Sequence, residues 1–244
     1  MCGIIGIVSR EDFSIKDSLL RGLKRLEYRG YDSWGFATAN AEVFKKTGEI
    51  SGIKDDILTK NAISHTRWAT NGGVTKKNAH PHFSQENDIF VVHNGIIDNA
   101  DTVKQMLEKD GYQFVSETDT EIIPHFVKHK LRQGREMKEV LFDLMNELEG
   151  TFAILIIRKD DENIYALKRD SPLVLGILDG KYILSSDVYA FSDVTNKAIF
   201  FEDNEFAIMN SKGYEFYDDQ GKRISKEINE FEWKAQEQPK DDYD

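Results

Sequence analysis

The stretch that decides the fold is MCGIIGI, residues 1–7 of the sequence. Residues 2–9 form a continuous apolar run that is rich in β-branched side chains. Such a run predicts a strand that is buried on both faces. Cys2 is the only cysteine of the chain. An unpaired cysteine behaves as a small hydrophobic residue, so these residues alone favour a purely structural role for Cys2.

Cys2 also has a chemical interpretation, because only Met1 precedes it in the sequence. After removal of Met1, one residue would carry a thiol with an unperturbed pKa near ~8.5 and an α-amine with a pKa near ~7.7–8.0. The amine could then accept the thiol proton, directly or through one water molecule. Covalent catalysis needs this pairing of nucleophile and base, so the second interpretation depends on the removal of Met1.

The composition is that of a globular protein with one large domain or two small ones. Hydrophobic residues make up 40% of the chain, which is enough for a substantial core. The net charge of −11 argues against nucleic acid or an anionic membrane surface as a partner, since both need a basic face. A single cysteine cannot form an internal disulfide, and no signal peptide or membrane-spanning run is recognisable. We therefore expect a cytoplasmic protein.

The order of the predicted elements favours an α+β fold with antiparallel sheets. Ser14 is a suitable cap for a helix that continues to Leu26. The other segments before Gly150 are strands at 2–9, 34–46 (a hairpin), 62–66 and 89–93, and helices near 99–109, 118–132 and 136–148. Seven further strands follow, separated by turn residues. Because strands and helices are grouped and do not alternate, a doubly wound parallel sheet is disfavoured.

The end of the sequence differs in composition from the rest. Residues 226–244 are polar, charged and poor in core residues. Such a composition is typical of a linker or tail. We therefore expect one domain over residues 1–225 and a polar linker over residues 226–244.

Four polar groups stand at predicted strand ends or in loops, and each has an ordinary structural explanation. Arg67 could form a surface ion pair, Asn94-Gly95 a hairpin turn, Asp119 the start of a helix and Arg29 the end of one. The first three also have a chemical use: a guanidinium binds a carboxylate, an Asn amide with a Gly N–H suits an oxyanion, and the Asp119 carboxylate could pair with an ammonium. Taken separately, the structural explanations are favoured. Together with the thiol, these groups describe a site for a free α-amino acid that carries a side-chain amide.

The six histidines do not predict a metal site. His125 and His129 are spaced i, i+4 on a predicted helix, but no Glu accompanies them in a metalloprotease-like arrangement. His80 and His82 flank Pro81, and in an extended chain their side chains would point in different directions. No Walker-type or GxGxxG loop is present to hold a nucleotide. We expect neither a metal nor a cofactor.

A series of motifs carries a family resemblance: CGIIGI at 2–7, RLEYRGYDS at 25–33, HTRWAT at 65–70, NAHPH at 78–82, VVHNGIIDN at 91–99, SETDTE at 116–121, SPLVLG at 171–176 and SSD at 185–187. In these motifs the chain resembles the class II glutamine amidotransferases, and YRGYDS resembles their sugar-aminating branch. The resemblance runs in order from Cys2 to about residue 235. It implies an N-terminal-nucleophile hydrolase fold, a four-layer αββα sandwich with two antiparallel sheets.

The resemblance implies catalytic roles for three residues. Cys2 would attack the δ-carbonyl of L-glutamine, with its own α-amine as the general base. Asn94 and the backbone amide of Gly95 would hold the tetrahedral oxyanion, and removal of one such donor typically costs ~10²–10³ in rate. Ammonia would leave, and hydrolysis of the remaining thioester would give glutamate.

The resemblance implies binding roles for the remaining candidates. Arg67 would bind the α-carboxylate of the substrate, with Thr70 and the backbone of Asn71 nearby, and Asp119 would bind the α-ammonium. Arg29 would steady the site near the nucleophile. Residues 67–76 resemble the mobile glutamine loop of the family, in which Trp68 would gate the path of ammonia.

Two positions depart from the family pattern. Asn71 stands where the sugar-aminating members usually have His, which leaves a backbone contact to the substrate but puts a side-chain contribution in doubt. Trp34 stands where a small residue usually follows YRGYDS.

The chain is also shorter than the sugar-aminating enzymes, which continue into two sugar-isomerase subdomains that bind fructose-6-phosphate. We therefore expect a sugar-isomerase domain or subunit as a partner that this chain does not contain. Two alternatives remain open: a stand-alone glutaminase that serves another acceptor, and a glutamine-sensing domain without turnover.

Overall fold

Two antiparallel sheets form the centre of the computed structural model, which describes residues 2–70 and 72–231. The strands are β1 (Gly3–Ser14), β2 (Ser33–Thr38), β3 (Val43–Thr47), β4 (Leu58–Arg67), β5 (His82–Phe83), β6 (Ile89–Ile97), β7 (Gly150–Arg158), β8 (Ile164–Arg169), β9 (Val174–Leu178), β10 (Lys181–Ser185), β11 (Lys197–Phe200), β12 (Glu205–Asn210), β13 (Gly213–Tyr217), β14 (Arg223–Ile224) and β15 (Asn229–Glu230). One sheet has the order β15-β11-β9-β10-β1-β4-β2-β3, and the other has the order β14-β13-β12-β8-β7-β6-β5.

Helices cover the outer face of each sheet. The helices are α1 (Arg21–Arg25), α2 (Ala100–Lys109), α3 (Ile122–Arg132) and α4 (Met137–Glu147). A turn of π-type helix, Ile15–Leu20, precedes α1, and its N-cap Ser14 accepts a hydrogen bond from the backbone N–H of Asp17 at 2.9 Å. Short 3₁₀ turns lie at Glu27–Arg29, Asp119–Glu121 and Val188–Ala190. No helix among the described residues is both long and apolar enough to cross a membrane.

Alternation along the strands divides the core into three layers. On β1, Ile4 and Val8 face the second sheet, whereas Ile5 and Ile7 face the helices around α1. On β6, Phe90 and Val92 lie between the sheets. This period of two gives the order helix, sheet, sheet, helix, and it confirms the expected α+β class and four-layer αββα arrangement.

The predicted elements before and after Gly150 are present, with two differences in extent. β1 continues to Ser14, beyond the predicted end of the first strand. The packed domain continues past the expected boundary at residue 225, because β15 pairs with β11 and the ring of Phe231 lies 6.4 Å from that of Phe191. Neither contact has a local sequence signal. The rest of the expected linker, residues 232–244, lies outside the described residues.

Trp34, the departure without a sequence explanation, is a core residue. Its side chain is fully buried on β2, and the indole N–H donates to the carbonyl oxygen of Glu49 at 3.0 Å. The ring lies 5.0 Å from that of Phe44 on the neighbouring strand β3. The indole therefore fills the helix-facing layer of the first sheet and satisfies its own donor.

Replacement of Trp34 tests this packing. Trp34→Ala is expected to lower the free energy of unfolding by about 3–5 kcal/mol, since a large buried ring is removed and a cavity remains. Trp68→Ala removes the same side chain from a position that is 45% exposed, and it should cost less than about 1 kcal/mol. Urea denaturation of both variants measures the difference, and equal losses would contradict the assignment.

Candidate active site

The predicted site residues come from separate elements that converge at one end of the sandwich. Cys2 precedes β1, Arg67 ends β4, Asn94 and Gly95 lie in β6, and Asp119 begins a 3₁₀ turn. Cys2, Arg67, Gly95 and Asp119 line a pocket of about 30 Å³. Cys2, Asn94 and Gly95 also line a neighbouring cavity of about 310 Å³. The structure thus brings the five residues together, with the thiol at the border of both spaces.

The register of the first sheet fixes the position of Cys2. Gly3 pairs with Thr66 of β4, so Cys2 lies beside Arg67 and Trp68. A side chain at position 3 would have its Cβ 2.8 Å from Cβ of Leu26, and glycine avoids this contact. The register therefore brings the start of the chain against the end of β4.

The Cys2 thiol is held by the backbone of Trp68. The N–H of Trp68 donates to Sγ at 3.3 Å, and Sγ donates to the carbonyl oxygen of Trp68 at 3.6 Å. Burial raises the pKa of the thiol, whereas the Trp68 amide and the Arg67 guanidinium act in the opposite direction. With a raised pKa the thiol is mostly protonated at neutral pH. The nucleophile therefore needs a base to accept its proton.

Asn94 joins the second sheet to the nucleophile. Its Nδ2 donates to the carbonyl oxygen of Cys2 at 3.0 Å, and the side chain is buried. A primary amide has two N–H donors, so this contact leaves one hydrogen of Nδ2 for a ligand. The side chain is therefore tied to Cys2 and keeps a donor beside it.

Gly95 occupies a position that no other residue fits. Its φ is +127°, and an added Cβ would lie 1.9 Å from the carbonyl oxygen of Thr151. The backbone of Gly95 borders both the small pocket and the larger cavity. Glycine thus lets β6 approach β7 closely while the main chain faces the open space.

Arg67 is buried and contacts the loop that follows it. Its guanidinium donates to the carbonyl oxygens of Gly72 at 3.4 Å and Gly73 at 3.3 Å. Burial lowers the pKa of Arg67, and the opposing negative charges include Asp32 and Asp119. A guanidinium stays charged despite such a shift. The site therefore contains a desolvated cation that is held partly by loop carbonyls.

Asp119 supplies the opposite charge in the small pocket. Its Oδ2 accepts a hydrogen bond from the backbone N–H of Ile97 at 2.8 Å, which fixes the carboxylate next to β6. The guanidinium of Arg67 and the carboxylate of Asp119 line the same pocket, and together they can bind a zwitterion. The pocket itself is small, at about 30 Å³, and it adjoins the larger cavity at Cys2 and Gly95.

Arg29 lies on the wall of the larger cavity, away from Arg67. Its Nη2 donates to Oδ2 of Asp187 at 2.6 Å, and its Nε donates to the hydroxyl of Tyr28 at 2.9 Å. Asp187 also accepts from the backbone N–H of Tyr189 at 3.0 Å. The motifs YRGYDS and SSD therefore meet in one network that fixes Arg29 beside the nucleophile.

The rest of YRGYDS braces the segment around Trp68. The backbone of Gly30 runs so close that an added Cβ would lie 2.6 Å from the nitrogen of Trp68. Oδ2 of Asp32 accepts from the backbone N–H of Ala69 at 2.8 Å. The half-exposed Trp68 ring makes an edge contact with Tyr31 at 5.8 Å between centroids. These contacts hold the start of the loop against the first sheet.

Trp68 and Thr70 border both the small pocket and the larger cavity. The structure thus places both predicted loop residues at the entrance to the thiol. Asn71, the third predicted residue of the loop, lies outside the described residues.

A group of buried histidines next to the site was missed from the sequence. His65 and His80 have ring centroids 4.0 Å apart, and His80 and His82 are 4.8 Å apart. The expectation that His80 and His82 point in different directions is therefore wrong; the peptide between His80 and Pro81 is cis, and the two rings make an edge contact. Their membership in the motifs HTRWAT and NAHPH was the only available signal.

Burial keeps these histidines neutral. It lowers the pKa of His65 to about 3, and it lowers the pKa values of His80, His82 and His93 as well. His80 and His93 line the small pocket. Within the described part of the chain, no group of three or more His, Cys, Asp or Glu residues could hold a metal ion. These four histidines therefore add no positive charge to that of Arg67.

The raised pKa of the thiol predicts slow alkylation of Cys2 at neutral pH. In a chain that retains Met1, the rate with iodoacetamide should keep rising above pH ~8.5, because only the thiolate reacts. Arg67→Met should move the midpoint further upward, since the guanidinium favours the thiolate. Mass spectrometry gives the rate directly because the chain has one cysteine. A downward shift in Arg67→Met would contradict this electrostatic role.

Two glycine variants separate steric overlap from backbone strain. Gly134→Ala places a Cβ at φ +83° with no described heavy atom within 4 Å, and strain of about 1–2 kcal/mol is expected. Gly95→Ala adds the overlap with Thr151, so it should lose well over twice as much and change the alkylation rate of Cys2. Denaturation curves and the alkylation assay test both statements. Equal effects would show that the close approach at Gly95 is unimportant.

Comparisons with known proteins agree with this geometry. The family model described as a glutamine amidotransferase domain matches residues 65–193, more than half of the chain. The glutamine–fructose-6-phosphate aminotransferase [isomerizing] of Thermococcus kodakarensis is 40% identical over 243 residues, which cover 96% of this chain and 40% of that protein. The Methanococcus maripaludis protein of the same name is 36% identical over 260 residues, which cover all of this chain and 43% of that protein. The chain thus spans about two fifths of the length of these relatives.

A solved structure shows the same fold. The glutamine phosphoribosylpyrophosphate amidotransferase from B. subtilis, complexed with ADP and GMP, superposes with a TM-score of 0.74 at 28% sequence identity. The superposition covers 93% of this chain and 50% of that protein. With the αββα layers, the match of the family model and the identity to these relatives, the chain belongs to the glutamine amidotransferases of the N-terminal-nucleophile class.

Proposed function

We propose that this domain hydrolyses L-glutamine to L-glutamate and ammonia, with Cys2 as the nucleophile after removal of Met1. The observation that carries the proposal is the thiol of Cys2 at the border of a pocket that contains both Arg67 and Asp119. A buried guanidinium and a carboxylate together recognise the α-carboxylate and α-ammonium of a free amino acid. An amidase for non-zwitterionic substrates has no use for this pair.

The first chemical step is attack by the Cys2 sulfur on the δ-carbonyl carbon of glutamine. The α-amine of Cys2 takes the thiol proton, which the raised pKa of the thiol makes necessary. The free hydrogen of Asn94 Nδ2 and the N–H of Gly95 stabilise the oxyanion. The α-ammonium then gives its proton to the leaving nitrogen, and ammonia departs. Water attacks the resulting thioester to release glutamate and restore the thiol.

The loop after Arg67 covers the bound substrate. The carbonyl oxygens of Gly72 and Gly73 accept from the guanidinium and hold it at the pocket. Arg67 binds the α-carboxylate, with Thr70 and the backbone of Asn71 beside it. The closed loop shields the site from bulk water until ammonia has left, and one water molecule then hydrolyses the thioester. Trp68, at the border of both spaces, gates the path of ammonia.

We propose fructose-6-phosphate in a sugar-isomerase domain or subunit as the acceptor of the ammonia. The relatives that cover this chain bear the name glutamine–fructose-6-phosphate aminotransferase [isomerizing], and this chain spans only part of each. Exposed apolar side chains near the nucleophile suit a covering partner: Tyr28, Tyr31, Trp68 and Ile96. A stand-alone glutaminase and a glutamine sensor are the competing functions. A cytoplasmic location stays a prediction from the sequence.

Ammonia release from L-glutamine tests the proposal directly. Cys2→Ala, and a chain with an extension before Cys2, should both fall to the uncatalysed rate, because one lacks the thiol and the other lacks the free amine. Mass spectrometry of the active protein should find Cys2 as the first residue. Turnover by Cys2→Ala would sink the covalent mechanism, and glutamine binding without turnover by the processed protein would favour a sensor. Addition of an isomerase partner with fructose-6-phosphate tests the acceptor.

The two binding charges give a second prediction. Arg67→Met and Asp119→Asn should raise KM for glutamine by about 10–100-fold, since each removes a charge-assisted contact with the substrate. Asp101→Asn makes the same change on the exposed first turn of α2 and should leave KM unchanged. Steady-state kinetics measures the three variants. An unaltered KM in Asp119→Asn would refute the ammonium-binding role.

A further inference from the structure

The two charged groups of the small pocket belong to separate segments of the chain. Arg67 is held by the carbonyl oxygens of Gly72 and Gly73 in the loop after β4. Asp119 belongs to a segment that follows α2 and precedes α3. For both charges to bind one ligand, the two segments must keep a fixed separation. The structure contains a direct connection between them.

This connection is a reciprocal pair of hydrogen bonds between Asn78 and Glu117. Nδ2 of Asn78 donates to Oε2 of Glu117 at 2.8 Å, and the backbone N–H of Glu117 donates to Oδ1 of Asn78 at 3.0 Å. The Asn78 side chain is completely buried. One asparagine thus uses both ends of its amide on one residue of the other segment, which fixes distance and orientation together.

The same pair reaches the carbonyl that contacts Arg67. Nδ2 of Asn78 donates to the carbonyl oxygen of Gly73 at 3.0 Å, and the N–H of Gly73 donates to Oε2 of Glu117 at 3.2 Å. Both the N–H and the carbonyl oxygen of Gly73 are therefore hydrogen-bonded to this pair. Its carbonyl oxygen is also an acceptor for the Arg67 guanidinium, so a shift of Glu117 moves a group that touches Arg67.

Gly72 allows the Asn78 side chain to reach this place. Its φ is +75°, and an added Cβ would lie 2.8 Å from Nδ2 of Asn78 and 3.0 Å from Cβ of Glu117. Asn78 itself is oriented by a local turn, in which its N–H donates to the backbone oxygen of Thr75 at 3.2 Å. The backbone conformation of the loop therefore leaves room for the side-chain amide of Asn78.

The segment with Asp119 is also held by hydrogen bonds that do not involve the loop. Glu121 accepts from the backbone N–H of Ser116 at 2.7 Å and from the hydroxyl of Ser116 at 2.6 Å. Burial alone would raise the pKa of Glu121, but the nearby His125, whose Nε2 lies 3.9 Å from Oε1, and the hydrogen bonds from Ser116 lower it to about 2. The segment is thus held by its own hydrogen bonds, and Glu117 fixes the position of the loop relative to it.

We propose that Asn78 and Glu117 are positioning residues that fix the loop carrying the Arg67 contacts against the segment carrying Asp119, and thereby set selectivity for ligands with both an α-carboxylate and an α-ammonium. This inference rests on the proposed glutaminase function. Neither side chain is needed at the reacting carbon. Their effect is on how well the closed loop holds the two binding charges around the amino acid.

Steady-state kinetics with glutamine tests the inference in Asn78→Ala, Glu117→Ala and the double variant. Each single change should raise KM at least tenfold with kcat within about threefold, because uniform binding is lost while the nucleophile is untouched. The double variant should be little worse than either single one, since both remove one coupled unit. Glutaramate lacks the α-amine, so the preference for L-glutamine over glutaramate should shrink in the same variants.

Lys77→Met is the matched control. Its ion pair with Glu117 has an N–O distance of 3.6 Å, and both side chains are about half exposed. Exposed pairs of this kind contribute little, so KM should stay within twofold of the unchanged protein. An increase as large as that of Glu117→Ala would mean that the surface charge matters and the buried amide does not.

Hydrogen exchange separates this inference from the proposed function. Loss of the Asn78–Glu117 bonds should speed exchange of a peptide that contains Gly73, with thermal unfolding showing that the rest of the domain stays folded. Faster exchange with unchanged KM and unchanged selectivity overturns the positioning role. Unchanged exchange overturns the connection itself. Absence of glutaminase activity in the processed protein, with its partner present, removes the proposed function and the selectivity claim with it, whatever the exchange shows.

Discussion

A hydrogen bond between the two sheets lies at the place where chemistry can occur. The amide of Asn94, on strand β6 of the second sheet, donates to the carbonyl oxygen of Cys2, which directly precedes β1 of the first sheet. The face-to-face stacking of the sheets sets this contact, because β1 and β6 lie opposite each other across the inner core. A nucleophile at the start of a strand can be placed reproducibly only when the strand is locked by its neighbours. Here β1 is paired on both sides, with β4 and β10.

The electrostatics of the site follow from how much water each group has lost. Burial penalises the charged form, so the histidines are neutral and the thiol keeps its proton. Arg67 is the exception, since a guanidinium cannot escape burial by losing its proton. Its charge is met by loop carbonyls and by the field of Asp32 and Asp119. The result is a persistent cation in the small pocket, next to a nucleophile that a base must activate.

Local periodicity and turn chemistry were enough to predict most elements of the fold. The buried run at Cys2–Ser9, the cap at Ser14 and the grouping of strands after Gly150 each depend on neighbouring residues, so the sequence shows them directly. Pairings between distant segments leave no such local signal. This explains why the attachment of β15 to β11, the burial of Trp34 and the contact of His80 with His82 were not foreseen. The candidate site was predicted from motif likeness, whereas the pairing of Asn78 with Glu117, which lie in two of the quoted motifs, is visible only in the structure.

The attachment of β15 has a consequence for how a fused partner could reach the nucleophile. β15 is the edge strand of its sheet, and β11, β9 and β10 separate it from β1. Four strand spacings correspond to roughly 19 Å across the sheet. A tether of about ten residues spans up to ~33 Å when it is extended, which exceeds this offset. A tether of this length that leaves the sheet after Phe231 can therefore cross its width to the strand that follows Cys2, and tether length is the variable that controls how freely a joined domain does so.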